Sequence, residues 1–336
     1  MKEKLGILFF ILIINCEEVE VTNVSGGSLN QKEYPCLSDA SNCLDSIKVK
    51  GGSFNFYSSF SLDSVNNVYG AIICTHGATR NGDDYFNRMV TLVKEMNLES
   101  EILIIAPQFI TLYDKENDTD WYWNTTSWKW GNQSYMSNSG LSVSSFEVID
   151  SLLSRVNINN GSSSFSTVLI TGHSSGAAFA HTYAATKTNN RFKSLSVDFA
   201  VVNNQYYLYP DSNRLLNQSL YLPSNCINYN DWPLGFADSN PYIENIGIGA
   251  AKQNIIQNKV DYFIGSNDVQ TSDMTSGCGY SIIGEHRLEK TVNYNVYMDL
   301  SFENNQHTYT TIQGVGHNST GMFFSQQFKN YLNALF

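Results

Sequence analysis

A chain of 336 residues with 42% hydrophobic and 13% aromatic content is long enough to bury a large core, and one α/β domain of this size requires no second. Its formal net charge of -11 at pH 7 argues against nucleic acid or an anionic membrane as a partner, because both call for a basic surface.

At the N-terminus, Lys2 and Lys4 precede the apolar run Leu5–Ile14, which gives way to Asn15, Cys16 and the acidic Glu17, Glu18 and Glu20. This is the plan of a signal peptide and is too short to span a bilayer. Residues 1–16 are therefore expected to be a leader, 17–45 a polar N-terminal extension and 46–336 the main domain of a secreted protein with no stable membrane anchor. In that compartment Cys36–Cys43 and Cys226–Cys278 are the expected disulfides, and Cys74, inside the apolar stretch Ala71–Thr75, is an inert buried thiol. Asn23, Asn117, Asn124, Asn132, Asn160, Asn217 and Asn318 each open an N-x-S/T sequon, which points to a glycoprotein. Asn318 is expected to cap the closing helix and to carry no sugar.

Ser46–Lys50 and Ser53–Leu62 alternate in polarity and read as a leading antiparallel pair. The predicted parallel sheet starts at Tyr69–Thr75, followed by a helix over Asp83–Met96, the strand Glu101–Ala106 and a helix over Ser145–Val156. The strand Thr167–Thr171 leads into a helical segment, Ala177–Thr186, and Leu195–Val202 is the next strand. A polar and aromatic insertion from Asn203 to Asn240 precedes a helix over Tyr242–Gln257 and the strand Lys259–Ile264. After a further insertion, Tyr309–Gln313 is the last strand and Met322–Leu335 the closing amphipathic helix. This alternation predicts an α/β fold, a mostly parallel central sheet flanked by helices on both faces, with loop insertions at the carboxyl ends of the strands.

The chemistry concentrates at Gly172-His173-Ser174-Ser175-Gly176, a G-x-S-x-G sequence between an apolar β-branched strand and an Ala-rich helix. That is the setting of a nucleophile elbow, in which a serine on a strained turn presents its hydroxyl to a base and the flanking glycines let strand and helix approach. Ser174 is the candidate nucleophile. A base and a group that orients it must then lie at the carboxyl ends of other strands. His317 follows the last strand through Gly314-Val315-Gly316 and is the best base. His173 is read as packing or pocket lining, His307 as a solvated residue ahead of its strand, His181 as a helix residue and His286 as part of an insertion. Asp268, after the strand and turn that begin at Asp261, is the expected acid, with Asp273 as its rival. The oxyanion donors are expected to be the backbone N–H groups of Ser175 and Ala78, the latter in the His76-Gly77-Ala78-Thr79-Arg80-Asn81 loop. Arg80, Asn81 and Asp83 read as loop structure and helix capping.

This order of strand and His76-Gly77, the Ser174 elbow, Asp268 and His317 resembles the α/β-hydrolase superfamily from about Ser46 to the end of the chain. The His76–Asn81, Gly172–His181, Tyr229–Gly235 and Asp268–Cys278 segments are similar to a group of secreted hydrolases distantly related to polyester depolymerases and feruloyl-type esterases. The resemblance implies a serine hydrolase without metal or organic cofactor, acting on a small or polymeric carboxylic ester. Two alternatives stand beside it: a non-catalytic secreted binding glycoprotein on the same fold, and a serine peptidase or amidase with the same triad. Trp121, Tyr122, Trp123, Trp128 and Trp130 in the first insertion, and Tyr206, Tyr207, Tyr209, Tyr229 and Trp232 in the second, are either a platform for a sugar or aryl ester or pins for long loops.

Overall fold

The computed structural model describes residues 34–63, 68–136, 140–158, 165–186 and 195–336. The expected leader, Cys16, and the sequons at Asn23 and Asn160 lie outside the described residues. The elements are α1 (Ala40–Cys43), β1 (Leu44–Val49), β2 (Gly52–Ser58), β3 (Gly70–Thr75), α2 (Gly82–Glu95), β4 (Ile102–Pro107), α3 (Ser145–Ile158) and β5 (Thr167–His173). They continue as α4 (Ser175–Tyr183), β6 (Ser196–Val202), β7 (Arg214–Leu216), β8 (Ser219–Tyr221), α5 (Pro241–Ile246), α6 (Ile248–Gln257) and β9 (Val260–Gly265). The chain ends with α7 (Cys278–Ser281), α8 (Arg287–Ser301), β10 (His307–Ile312), α9 (Ser319–Phe323) and α10 (Gln326–Leu335).

Among the described residues, eight strands form one sheet in the order β1-β2-β4-β3-β5-β6-β9-β10. The leading pair is antiparallel, as its alternating polarity predicts, and β2 joins β4 antiparallel. From β4 to β10 every pairing is parallel. A parallel sheet covered on both sides requires strands that are apolar throughout, and β3 and β4 are buried along their whole length. Ala71 and Ile73 of β3 enter the layer that holds Val148, Ile149 and Phe179 of α3 and α4. Ile72 and Cys74 enter the opposite layer, with Phe86 and Met89 of α2 and Phe328 and Leu332 of α10.

Several boundaries differ from the sequence reading. The helix expected over Tyr242–Gln257 is two helices, because Gly247 at φ 90 breaks it. The closing helix is likewise divided: α9 ends at Phe323, and Ser325 starts α10 by accepting a hydrogen bond from the Phe328 N–H. The insertion after Asn203 contains the small β7–β8 hairpin. The second insertion contains α8, which was not predicted at all. The buried side of α8 is Arg287, Lys290, Thr291, Tyr294, Tyr297 and Met298, so its spacing is helical while its residues do not read as an apolar stripe. His307 is not a solvated residue ahead of the last strand. It begins β10, its Nε2 lies 2.7 Å from the Ile255 carbonyl, and its ring stacks near Tyr294.

Three tryptophans of the first insertion act as pins. Trp121, Trp123 and Trp128 are buried, and the Trp121 and Trp123 indoles donate to the Val49 and Asn132 carbonyls. The disulfides are Cys36–Cys43 and Cys226–Cys278, and Cys74 is free and buried. Burial pushes the Cys74 thiol up to about 12. Alkylation of the native protein is accordingly expected to leave Cys74 unmodified until denaturant is added. Cys226–Cys278 ties the two insertions together across 52 residues, and its removal by Cys226→Ser and Cys278→Ser is expected to cost about 2–5 kcal/mol in denaturant unfolding.

Candidate active site

The sheet reverses its direction of growth at β3 and β5, and the crevice beyond their carboxyl ends is where an open α/β sheet places its ligands. At this point β5 turns through Ser174 into α4. Ser174 has φ 59 and ψ -112, a conformation that a non-glycine residue adopts at a cost of about 1–3 kcal/mol. It is held there because its N–H donates to the Val202 carbonyl, 3.0 Å away, and because the flanking glycines permit a tight turn. A Cβ on Gly172 would come within 2.5 Å of the Gly176 backbone, and one on Gly176 within 2.1 Å of the Thr75 carbonyl oxygen. The second contact brings the start of α4 against the end of β3. Ser174 is half-buried, whereas the residues on either side of it are buried.

His317 and Asp268 converge on this serine. The His317 Nε2 lies 3.0 Å from Ser174 Oγ, and its Nδ1 lies 2.8 Å from Asp268 Oδ2. With the Nδ1 proton donated to the carboxylate, the Nε2 lone pair faces the serine hydroxyl, which is the state a general base requires. Asp268 is fully buried, and its backbone accepts from the Leu288 N–H at the start of α8. Its rival Asp273 is half-exposed and pairs with Arg287 at 2.8 Å, without contact to His317 among the hydrogen bonds of the site.

The loop after β3 is set by His76. Its Nδ1–H donates to the Gly77 carbonyl at 2.9 Å and its Nε2 accepts from the Phe109 N–H at 3.0 Å, so the ring carries one proton and burial lowers its pKa to about 4. Ala78 is exposed just beyond it, and Ser175 opens α4, where helix geometry leaves the first N–H groups without intrahelical partners. Arg80 and Asn81 serve structure: the Arg80 carbonyl accepts from Gln108, its guanidinium reaches Asp114, and the Asn81 amide donates to Asp84.

Two residues that the sequence reading passed over complete the arrangement. Asn203, at φ 53 and fully buried, donates from Nδ2 to the Gly316 carbonyl at 3.0 Å and accepts on Oδ1 from the Gly265 N–H at 2.9 Å. It also lies 3.3 Å from His173 Nε2. One side chain thus touches the elbow, the strand that leads to Asp268 and the residue before His317. Its only sequence signal is an asparagine directly after an apolar strand, a type that tolerates positive φ. Arg287, also buried, places Nη1 3.5 Å from Asp268 Oδ1, and nothing in the local sequence marks it.

His173 packs as expected, its ring centroid 4.5 Å from that of His317. Burial, and then the neighbouring His317, hold its pKa well below the usual value, so His173 remains neutral beside an imidazolium. His181 and His307 are also depressed by burial, His307 to about 4. Each of these depressed groups contributes stability that is fully present above the unfolded value of about 6.5 and is lost as pH falls toward the folded value. For His76 and His307 the loss is on the order of 3 kcal/mol each. A marked fall in Tm between pH 7 and pH 4.5 is therefore expected, and His307→Gln should make it shallower.

A groove of about 670 Å³ lies elsewhere, along the edge strand β1 and α3. Within it Lys50 pairs with Glu147 and Arg155 with Asp63, and it contains none of Ser174, His317 and Asp268. Among the described residues no group of three His, Cys, Asp or Glu side chains is placed to hold a metal ion.

The sheet order and the elbow define an α/β-hydrolase fold, and solved structures agree. A poly(3-hydroxybutyrate) depolymerase from Bordetella parapertussis superposes with a TM-score of 0.55 at 15% identity, covering 80% of each chain. Poly(aspartic acid) hydrolase-1 from Sphingomonas sp. KT-1 gives 0.60 at 17% identity over 87% of this chain and 97% of its own. At these identities the likeness is one of fold. No protein-family model and no curated protein matches the sequence.

Proposed function

We propose that the protein is a secreted serine hydrolase that cleaves carboxylic esters through a Ser174 acyl-enzyme. The observation that carries this reading is the Asp268–His317–Ser174 relay, with its two contacts of 2.8 and 3.0 Å at the switch point of the sheet. In the first step His317 Nε2 takes the Ser174 proton as Oγ attacks the ester carbonyl, and Asp268 stabilises the imidazolium. The negative oxygen of the tetrahedral intermediate is held by the Ser175 and Ala78 N–H groups, each worth about 10²–10³ in rate. Collapse breaks the C–O bond, and His317 returns the proton to the departing alcohol. Water, deprotonated by the same Nε2, then releases the acid and restores Ser174.

Secretion is supported by the two disulfide pairs and by exposed sequons at Asn117, Asn124 and Asn217. Among the described residues no helix is long and apolar enough to cross a membrane. Asn318 Oδ1 accepts from the Gly321 N–H at 2.7 Å and caps α9, in keeping with its expected structural use.

A fluorophosphonate probe tests the reading directly. Intact mass should show one adduct, mapped to Ser174 and absent in Ser174→Ala; a folded protein with no adduct would move the assignment to a binding glycoprotein. Parallel assays on matched esters and amides separate esterase from amidase, with the ester expected to turn over faster.

A further inference from the structure

The long insertions meet on the carboxyl side of the sheet at Tyr206, three residues beyond Asn203 and its contacts to His173 and Gly316. The Tyr206 hydroxyl bonds Thr275 Oγ1, and its ring meets the edges of Trp130 and Tyr280 with centroids 5.5 and 5.7 Å apart. Over the same ring, 5.3 Å from its centroid and 5.1 Å from that of Trp130, stands the ammonium of Lys129.

Lys129 is only 5% exposed. Its ammonium meets two aromatic faces, and no carboxylate pairs with it among the described residues. Beside it the Trp130 indole Nε1–H is buried without an acceptor. Both residues are anchored through their backbones: the Lys129 carbonyl accepts from Thr182 Oγ1, and the Trp130 carbonyl accepts from Trp232 Nε1 and Asn240 Nδ2. These are not free surface side chains. Cation–π contact offsets part of the penalty for burying an ammonium, but the neighbouring indole N–H without an acceptor remains to be explained. The protein as a whole is strongly acidic, so general attraction does not bring anions here and recognition must be local.

We propose that Lys129 and the Trp130 N–H form an anion subsite of the active-site cleft, and that the substrate is an ester bearing a carboxylate remote from its scissile bond. The inference rests on the hydrolase reading above. Two donors match the two oxygens of a carboxylate, and the walls of Trp130 and Tyr206 suit the methylenes that connect it to the ester. Thr182, the partner of the Lys129 backbone, lies eight residues beyond Ser174 on α4, about 12 Å of helix, and the proposed subsite takes an anion several bonds from the ester carbonyl. Burial lowers Lys129 to about 8, which leaves it charged at neutral pH.

The test compares kcat/KM of the full-length protein for 4-nitrophenyl hexanoate and for the 4-nitrophenyl monoester of adipic acid, which differ by the terminal carboxylate. The adipate monoester is expected to be favoured at least tenfold at pH 7, with the ratio falling toward one as pH rises past about 8. In Lys129→Met the ratio should be near one at every pH, and in Trp130→Phe, which keeps the ring and loses the N–H, it should fall about threefold. Binding is read separately: adipate titrated into Ser174→Ala should change tryptophan fluorescence, and Lys129→Met in that background should abolish the change.

Absence of adipate binding, or equal binding of inorganic phosphate, overturns the subsite. Binding with no preference between the esters overturns its assignment to the substrate. Binding with neither ester hydrolysed leaves the subsite standing and removes the ester reading instead.

Discussion

Ser174→Ala is expected to lower kcat by about 10⁶, and His317→Ala by a similar factor, with the double variant little worse than either. The reason is that the two groups act as one unit. Without the imidazole the serine hydroxyl keeps its proton, and without the hydroxyl there is no acceptor for the acyl group; the residual rate comes from the oxyanion donors and binding alone. KM should change much less than kcat, since neither group is asked to bind the ground state. Steady-state kinetics with 4-nitrophenyl esters decide this, and a loss of only tenfold would remove Ser174 from the chemistry. The elbow adds a second readout. Ser174 holds a positive φ of 59, so Ser174→Gly, equally inactive, is expected to be about 1 kcal/mol more stable than the wild type in denaturant unfolding.

Asp268→Asn is expected to lower kcat by roughly 10⁴ while Asp273→Asn costs no more than about tenfold. The asparagine amide can donate to His317 Nδ1, which would move the ring proton to Nε2 and leave no lone pair facing Ser174. Asp273 has no such link. It is half-exposed and its carboxylate engages Arg287, which also approaches Asp268 Oδ1, so its removal alters the surroundings of the acid without touching the base. Arg287→Met would leave Asp268 buried with one charged neighbour fewer, and breaking such a buried pair typically costs about 3–5 kcal/mol. Kinetics and unfolding of the three variants separate these roles. A severe effect of Asp273→Asn beside a mild one of Asp268→Asn would assign the acid to Asp273.

Local physics encodes a good part of this fold. Unbroken apolar runs of β-branched residues mark β3, β4 and β5, because a strand covered on both faces has no polar side to show. The elbow was legible because a strained turn needs glycines at fixed offsets, and the cysteine pairs because the chain reads as secreted. The histidine that meets Ser174 was legible too, as one placed after the last strand. Tertiary structure decided the rest. Asp268 and Asp273 lie five residues apart in one turn-rich segment, and only the approach of His317 tells them apart. Trp121, Trp123 and Trp128 of the first insertion were consistent with a platform or with pins until their burial was seen. Helix α8 is invisible to hydrophobic periodicity since its inner face carries Arg287 and Lys290, whose burial makes sense only beside residues from other elements. Asn203 and Arg287 share that character: a polar group is buried stably only if its partners arrive from elsewhere in the chain, and no stretch of sequence announces which partners those will be.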